Sequence, residues 1–321
     1  MSTTPDISLG TRFPSLAGAT GWLNSQPLTP AELAGKVVLV DFWTFTCINW
    51  LRTEAFVRAW SQAYRGDGLV VIGVHTPEFS FEHELGRVRQ ATKERGIDYP
   101  VALDNDYAVW NAFENHYWPA LYFRDADGII RDHHFGEGRY EQSERVIQRL
   151  LGVERELVSV EALGVEAQAD WQHLLTPESY LGYARAEHFA SPGGAAFDER
   201  RAYVLPESLP LNHWALAGAW TIGRESVVLE QAGGSIAYRF HARDAHLVLS
   251  AGAREPIPFR VLLDGEAPGR SHGVDVDEHG NGLLRDGRLY QLVRQPDAVR
   301  ERTLQITFLE DGAEAYVFTF G

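Results

Sequence analysis

Cys47 is the residue of this sequence best placed to do chemistry. It is the only cysteine among 321 residues, and it lies between an apolar, β-branched run at 36–43 and a segment of helical pattern. Free amide N–H groups and the helix dipole at a helix N-terminus stabilise a thiolate, which is the nucleophilic form of cysteine. We therefore predict that Cys47 is a nucleophile at the junction of a buried strand and a helix.

The elements around Cys47 alternate between strand and helix. The runs at 36–43 and 69–75 predict strands buried on both faces of a sheet, and a helix is predicted between them at 48–64. This β-α-β unit indicates an α/β domain with a parallel core. The later elements are predicted as a helix at 81–94, a strand at 101–103, helical turns at 107–115, a hairpin at 119–123 and 129–135, and a helix at 140–151.

Several sequence blocks of the first half resemble the soluble part of DipZ-type proteins, in the redoxin or TlpA-like group of the thioredoxin-like family. They cover most of residues 35–150 and are Val40-Asp41-Phe42-Trp43, Trp43-Thr44-Phe45-Thr46-Cys47-Ile48-Asn49, Gly73-Val74-His75-Thr76-Pro77-Glu78, Ala102-Leu103-Asp104-Asn105, Tyr117-Trp118-Pro119-Ala120 and Phe135-Gly136-Glu137-Gly138. The resemblance implies a thioredoxin-like domain over residues 1–152. It also implies that Pro119 is a cis-proline facing the active-site cysteine, and that Trp118 lines a substrate groove. We predict that Trp43 and Thr44 line the same groove.

The sequence departs from the family pattern at Trp50, which stands where the resemblance implies a second, resolving cysteine. A cycle of thiol–disulfide exchange through Cys47 therefore needs an external thiol to release the mixed disulfide. Asp41 resembles the buried carboxylate that assists proton transfer at the resolving cysteine, so its role is open here. Trp50 either fills the space beside Asp41 and donates its N–H to the carboxylate, or points outward beside Trp118 as part of the groove.

Monothiol exchange is the function that this pattern favours, and two other functions stay open. The fold is also consistent with a non-catalytic binding module for a peptide or glycan, because the resolving cysteine is missing. Thr44, three residues before Cys47, resembles the threonine of peroxiredoxins and keeps a one-cysteine peroxidase open, although Val40 stands where that motif has proline. Whether the protein is an enzyme is therefore undecided at this stage.

The second half of the chain has a different pattern. Residues 153–175 predict a connector with helical character, and residues 176–321 alternate apolar and polar residues between turn signals, as in a jelly-roll-like β-sandwich. This half resembles the DipZ C-terminal region, which is similar to carbohydrate-binding modules. Trp214 and Trp220 are candidates for sugar stacking, with core packing as the alternative. Asp275, Asp277 and Glu278 either offer oxygens to Ca²⁺ or form an acidic solvated turn.

Composition limits the partners. A net charge of −15 disfavours nucleic acid and anionic membrane surfaces, and no stretch is long and apolar enough to span a bilayer. We expect a protein or low-molecular-weight thiol or disulfide as the partner and a glycan as a further possibility. We expect no cofactor, and the spacing of His75, His83, His116 and the pair His133-His134 indicates no metal site. Without a signal segment at the start, the predicted location is the cytoplasm, although the DipZ resemblance implies an extracytoplasmic alternative.

Overall fold

The structure is a computed structural model and describes residues 8–252 and 256–321. This part of the chain divides into two compact units between Glu166 and Ala167. Residues 1–7 of the predicted first domain and residues 253–255 of the predicted second domain lie outside the described residues. No helix in the described part combines the length and the apolar character needed to cross a bilayer.

Strands and helices alternate in the first unit. In chain order they are β1 (Gly21–Leu23), β2 (Val37–Trp43), α1 (Ile48–Tyr64), β3 (Leu69–His75), α2 (Leu85–Glu94), β4 (Val101–Leu103), α3 (Ala108–Ala112), β5 (Ala120–Arg124), β6 (Ile130–Phe135) and α4 (Tyr140–Leu151). The strands form one sheet in the order β1-β4-β3-β2-β5-β6. The predicted parallel core is confirmed, because β4, β3 and β2 run parallel, while β1, β5 and β6 are antiparallel to their neighbours.

Two predicted helices are shorter than expected. The helix predicted at 81–94 is divided into a 3-10 turn, Ser80–His83, and α2, because Glu84 between them has an extended backbone. The helical turns predicted at 107–115 are reduced to α3, since Tyr107 and Glu114 on either side have positive φ values of 58° and 49°. A left-handed residue at each end stops a right-handed helix.

Two buried carboxylates fix the position of α1. Glu144 on α4 accepts hydrogen bonds from Trp60 Nε1 at 3.0 Å and from the Tyr64 hydroxyl at 2.5 Å, both on α1. Arg52, also on α1, forms an ion pair with Glu137 at 2.8 Å, and both side chains are almost completely buried. Charge-assisted hydrogen bonds are directional, so these contacts hold the helix that begins after Cys47 against α4 and the loop after β6.

The helical character predicted for the connector at 153–175 is wrong. The segment contains a 3-10 turn, Gly164–Glu166, and a turn at 171–173, and is otherwise irregular. Its backbone bonds to other elements: Val158 N–H donates to Glu144 at 2.8 Å, and the Arg155 carbonyl accepts from Gln148 at 3.1 Å. Backbone groups that already have partners on α4 do not need a helix to satisfy them.

The second unit consists of antiparallel strands. They are β7 (Ser179–Tyr180), β8 (Arg200–Tyr203), β9 (Trp214–Ile222), β10 (Val227–Leu229), β11 (Ser235–His241), β12 (Asp244–Ser250), β13 (Ile257–Leu263), β14 (Asn281–Leu284), β15 (Arg288–Arg294), β16 (Glu301–Phe308) and β17 (Glu314–Phe320). The main path of the sheet runs β14-β13-β16-β11-β9-β10-β17-β12-β15, with β7 on β17 and β8 on β9.

The predicted β-sandwich is confirmed, but its two layers are halves of one curled sheet. β9 joins them, because its first half pairs with β11 and its second half pairs with β10. Gly218 lies at this junction with a φ of 93°, and a Cβ there would lie 2.8 Å from the Cα of Gly234. The inner faces pack through aromatic pairs such as Tyr238 with Phe318, whose ring centroids are 4.9 Å apart.

The two tryptophans considered for sugar stacking belong to this core. Trp214 and Trp220 are both 0% exposed, and their indole N–H groups donate to the carbonyls of Glu187 and Ala217 at 2.8 Å. Neither ring face can meet a sugar, so the core-packing alternative is confirmed for both residues.

The acidic turn considered for Ca²⁺ uses its oxygens internally. Asp275 pairs with Arg288 at 2.6 Å, and Asp277 accepts from the backbone N–H of Asn281 at 2.8 Å. Glu278 lies 3.6 Å from the exposed His279 ring. Among residues 8–252 and 256–321, no three His, Cys, Asp or Glu side chains are grouped to hold a metal ion.

We predict that Glu144→Ala destabilises the first unit by about 3 kcal/mol, because it leaves two buried donors of α1 without an acceptor. Calorimetric unfolding of the full chain measures this effect. Glu141→Ala, on the exposed face of the same helix, is the matched control and should change the stability by less than about 0.5 kcal/mol. Equal effects of the two substitutions would contradict the anchoring role of Glu144.

Candidate active site around Cys47

Cys47 lies at the N-cap of α1, directly after the turn that leaves β2. Its N–H donates to the Thr44 carbonyl at 3.2 Å, and its own carbonyl accepts from Leu51 N–H at 2.9 Å, which begins the helix. The side chain is partly exposed. The first amides of a helix have no partners within the helix, so they and the helix dipole favour negative charge on a group at this position.

The peptide bond between Trp118 and Pro119 is cis, as the family resemblance implies. The Trp118 carbonyl accepts from the Cys47 thiol at 3.6 Å. The indole N–H of Trp118 donates to the Thr76 carbonyl at 3.1 Å, and its ring packs against Trp110 with centroids 4.4 Å apart. Trp118 is partly exposed, so the thiol lies against a fixed backbone segment that has an exposed edge.

Trp50 points inward and does not contribute to a groove. It is 0% exposed, stacks on Trp43 with centroids 4.3 Å apart, and donates its N–H to Asp41 Oδ2 at 3.0 Å. Of the two sequence alternatives for Trp50, the structure therefore shows the one in which it fills the space beside Asp41.

The groove predicted from Trp43, Thr44, Trp50 and Trp118 needs correction. Trp43, Thr44 and Trp50 are all fully buried, and only Trp118 is partly exposed. Trp43 is covered because β2 lies inside the sheet, where side chains on both of its faces are buried, and Thr44 follows it directly in the turn. Trp50 on α1 is covered because it stacks on Trp43 and bonds to Asp41.

Asp41 is a buried acid with one bonded oxygen. Burial raises the pKa of Asp41 to about 8, the Trp50 hydrogen bond lowers it, and Glu54 raises it further. The other oxygen, Oδ1, has no hydrogen-bond partner among the described residues. Asp41 is therefore largely protonated at neutral pH.

Glu54, one of the groups that act on Asp41, is itself a buried carboxyl. Burial raises its pKa to about 7, opposed by Arg58, which lies 3.2 Å from it, and by Arg95. Two carboxyls with raised pKa values therefore act on each other in this region, which carries less negative charge near pH 7 than two ordinary carboxylates would.

His75 is fully buried at the end of β3. Burial lowers the pKa of His75 to about 3, so its ring is neutral at physiological pH. The ring lies between Trp43 and Phe45, with centroids 4.7 Å and 5.6 Å away. It packs as an aromatic side chain beneath the Cys47 turn.

The sequence analysis did not single out Glu82, which contacts the turn before Cys47. Glu82 is 0% exposed and accepts from the Thr46 hydroxyl at 2.6 Å and from the N–H groups of Glu78 and Phe79 at 2.6 and 2.9 Å. The only sequence signal was a glutamate directly after the apolar residues at 79 and 81, which is too weak to predict a buried acid.

The second unit matches a known sequence family. The family model described as "Thioredoxin like C-terminal domain" matches residues 176–321, the same range as the predicted second domain. Protein DipZ of Mycobacterium tuberculosis is 40% identical over 259 residues, which are 79% of this chain and 36% of DipZ. The chain therefore spans only about a third of the length of that relative.

Other relatives match the first unit. The thiol-disulfide oxidoreductase YkuV of Bacillus subtilis is 30% identical over 139 residues, 43% of this chain and 93% of YkuV. A solution structure of a thioredoxin-like protein in its oxidised form is 31% identical, covers 46% of this chain and 100% of that chain, and has a TM-score of 0.43. Because nearly the whole of YkuV is matched at this identity, the chain belongs to the thioredoxin-like family.

Proposed function

We propose that the protein is a monothiol thioredoxin-like redox protein, in which Cys47 exchanges with disulfides and an external thiol completes the cycle. One observation carries the proposal: the only thiol of the chain is partly exposed at a helix N-terminus, 3.6 Å from the carbonyl before cis-Pro119. Trp50, buried where the family pattern has a second cysteine, offers no sulfur to resolve a mixed disulfide. In this proposal Pro119 shapes the approach to Cys47.

The proposed cycle has two exchange steps. The Cys47 thiolate attacks one sulfur of a substrate disulfide, forming a mixed disulfide and releasing the other sulfur as a thiolate. An external thiolate such as that of glutathione then attacks the mixed disulfide, regenerates the Cys47 thiolate and leaves with the second substrate sulfur as a new disulfide. Each cycle consumes one external thiolate, releases one substrate sulfur as a thiolate and leaves the other in a disulfide with the external thiol, so one disulfide is exchanged for another.

The name of YkuV, a thiol-disulfide oxidoreductase, supports thiol–disulfide exchange as the chemistry of Cys47. The partner that fits this chemistry is a protein disulfide or a low-molecular-weight disulfide. The similarity to DipZ covers 36% of that protein, so whatever else DipZ does is not transferred to this chain. Neither comparison supports a glycan partner or a cytoplasmic location, and both stay predictions.

Two structural facts bear on the other functions. A binding surface made of Trp50 and Trp118 lacks one of its two residues, because Trp50 is fully buried. A peroxidase needs a hydroxyl that reaches the peroxide, and the side chain of Thr44 is fully buried. Exchange at Cys47 requires neither residue to be exposed.

We predict that the folded protein forms a one-to-one mixed disulfide with oxidised glutathione and releases it when reduced glutathione is added. Intact mass measures both steps, and Cys47→Ser is the control that should stay unmodified. Because a helix N-terminus favours the thiolate, the reaction at pH 7 should be roughly tenfold faster than in the urea-unfolded chain. A thiol that reacts only after unfolding would contradict the exchange function and favour a binding module.

The same preparation separates exchange from peroxidase activity. Stoichiometric hydrogen peroxide followed by a sulfenate-trapping reagent should label Cys47 more slowly than glutathione disulfide modifies it. Faster labelling by peroxide would favour the one-cysteine peroxidase instead.

In this proposal Asp41 is a buried, protonated residue that supports Trp50, since no resolving cysteine is present to receive its proton. Its pKa of about 8 in the folded protein lies above the ordinary 3.8, so unfolding releases a proton between these pH values. The free energy of unfolding attributable to Asp41 is therefore largest below pH 4 and falls as the pH rises towards 8.

We predict that Asp41→Asn, which keeps an acceptor for Trp50, stabilises the protein by roughly 3 kcal/mol at pH 8 and has little effect at pH 4. Urea unfolding at the two pH values measures the difference. Asp98→Asn serves as the control, because Asp98 is exposed beside Arg65. A stability difference for Asp41→Asn that does not change with pH would show that Asp41 is already ionised in the folded protein.

A further inference from the structure

Glu82 connects the two segments that border the Cys47 thiol. On one side it accepts from Thr46, the residue before Cys47, at 2.6 Å. On the other side its second oxygen accepts the N–H groups of Glu78 and Phe79. The same loop contains Thr76, whose carbonyl accepts from the indole of Trp118 at 3.1 Å.

Through these bonds one carboxylate ties the turn at 44–47 to the loop that holds the cis-proline segment. Thr46 is 2% exposed and Glu82 is 0% exposed, so water does not compete for the bonds. The Phe79 carbonyl also accepts from the Glu82 N–H at 3.0 Å. Residues 78–82 therefore fold around the Glu82 carboxylate.

We propose that Glu82, as a carboxylate, is a positioning residue that holds Cys47 in its reactive orientation, and that protonation of Glu82 weakens its hold on the turn at 44–47. This inference rests on the proposed exchange function for its biological meaning, but the orientation of Cys47 can be measured without exchange.

The chemistry of the contacts explains why ionisation matters. Both backbone partners of Glu82 are N–H donors, and an ionised carboxylate accepts from all of its neighbours at once. A protonated carboxyl can still accept the two backbone N–H groups on Oε2, but its O–H on Oε1 must then donate to the Thr46 hydroxyl, so the bonds to the loop and to Thr46 lose their charge assistance. Burial raises the pKa of Glu82 to about 7, against the hydrogen bonds that lower it, so this change falls near neutral pH.

Among the described residues, no charged side chain forms an ion pair with the Glu82 carboxylate. Glu78, on the same loop, raises the pKa of Glu82. On the side of α2, Arg87 is paired with Glu84 at 2.9 Å. Burial keeps His75 neutral at physiological pH by lowering its pKa, and His83 follows Glu82 in sequence. The ionised state of Glu82 therefore depends on its hydrogen bonds.

The rate of Cys47 alkylation by iodoacetamide between pH 5.5 and 9 tests the proposal. In the native protein we expect two ionisations in the profile, one of the thiol and one near pH 7. Glu82→Gln should remove the second ionisation and lower the rate at pH 8 by about tenfold, because the neutral amide keeps one acceptor for the backbone donors but loses the charge-assisted bond from Thr46. Glu84→Gln is the matched control, since Glu84 is exposed, and should retain the native profile.

If Glu82→Gln does not fold, substitutions at Thr46 test the same proposal. Thr46→Val removes the hydroxyl with little change of shape and should reproduce the slower, single-ionisation profile, whereas Thr46→Ser keeps the hydroxyl and should restore the native one. The double variant Glu82→Gln with Thr46→Val should react no more slowly than the slower single variant.

Several outcomes would overturn the proposal. A native-like profile for Glu82→Gln would show that Glu82 is structural only. A faster reaction would show that the negative charge of Glu82 acts on the thiol more strongly than its position does. If alkylation follows the expected pattern but no variant, including the native chain, exchanges with oxidised glutathione, the positioning role stands and the exchange function fails.

Discussion

The structure around Cys47 depends on how one buried carboxyl is accommodated beneath the start of α1. Asp41 lies on a strand covered on both faces, where an isolated charge would be costly, and Trp50 supplies an N–H and a large apolar surface at that place. The stack of Trp50 on Trp43 fills the volume between β2 and α1. A second cysteine at position 50 would be much smaller, so the replacement alters the packing as well as the redox chemistry.

The thiol itself is held by contacts from three directions. The dipole and first amides of α1 lie behind it, the backbone before cis-Pro119 lies beside it, and the turn from β2 is fixed through Thr46 and Glu82. Farther along α1, Glu144 and Glu137 fix the angle of the helix. The partly exposed sulfur therefore lies beside segments that buried hydrogen bonds and an ion pair tie to their neighbours.

The second unit uses its aromatic residues for its own core. Trp214 and Trp220 lie on β9, the strand shared by both halves of the curled sheet, and both side chains are buried in the core of this unit. The resemblance to carbohydrate-binding modules thus reflects the architecture of the unit. Sequence similarity in a β-sandwich mainly follows its alternating core positions, which carry no information about a ligand.

The sequence alone determined the alternation of strands and helices from β2 to α4, the β-strand character of the second unit, the place of Cys47 between β2 and α1 and, through the family resemblance, the cis-proline at 119. These follow from local periodicity and contiguous motifs, which a linear pattern contains. Only the tertiary structure decided that Trp50 faces Asp41, that Trp43 and Thr44 are buried, and that Glu82 bonds to Thr46 across 36 positions. Burial and long-range hydrogen bonds depend on which elements pack together, and no local pattern encodes that choice.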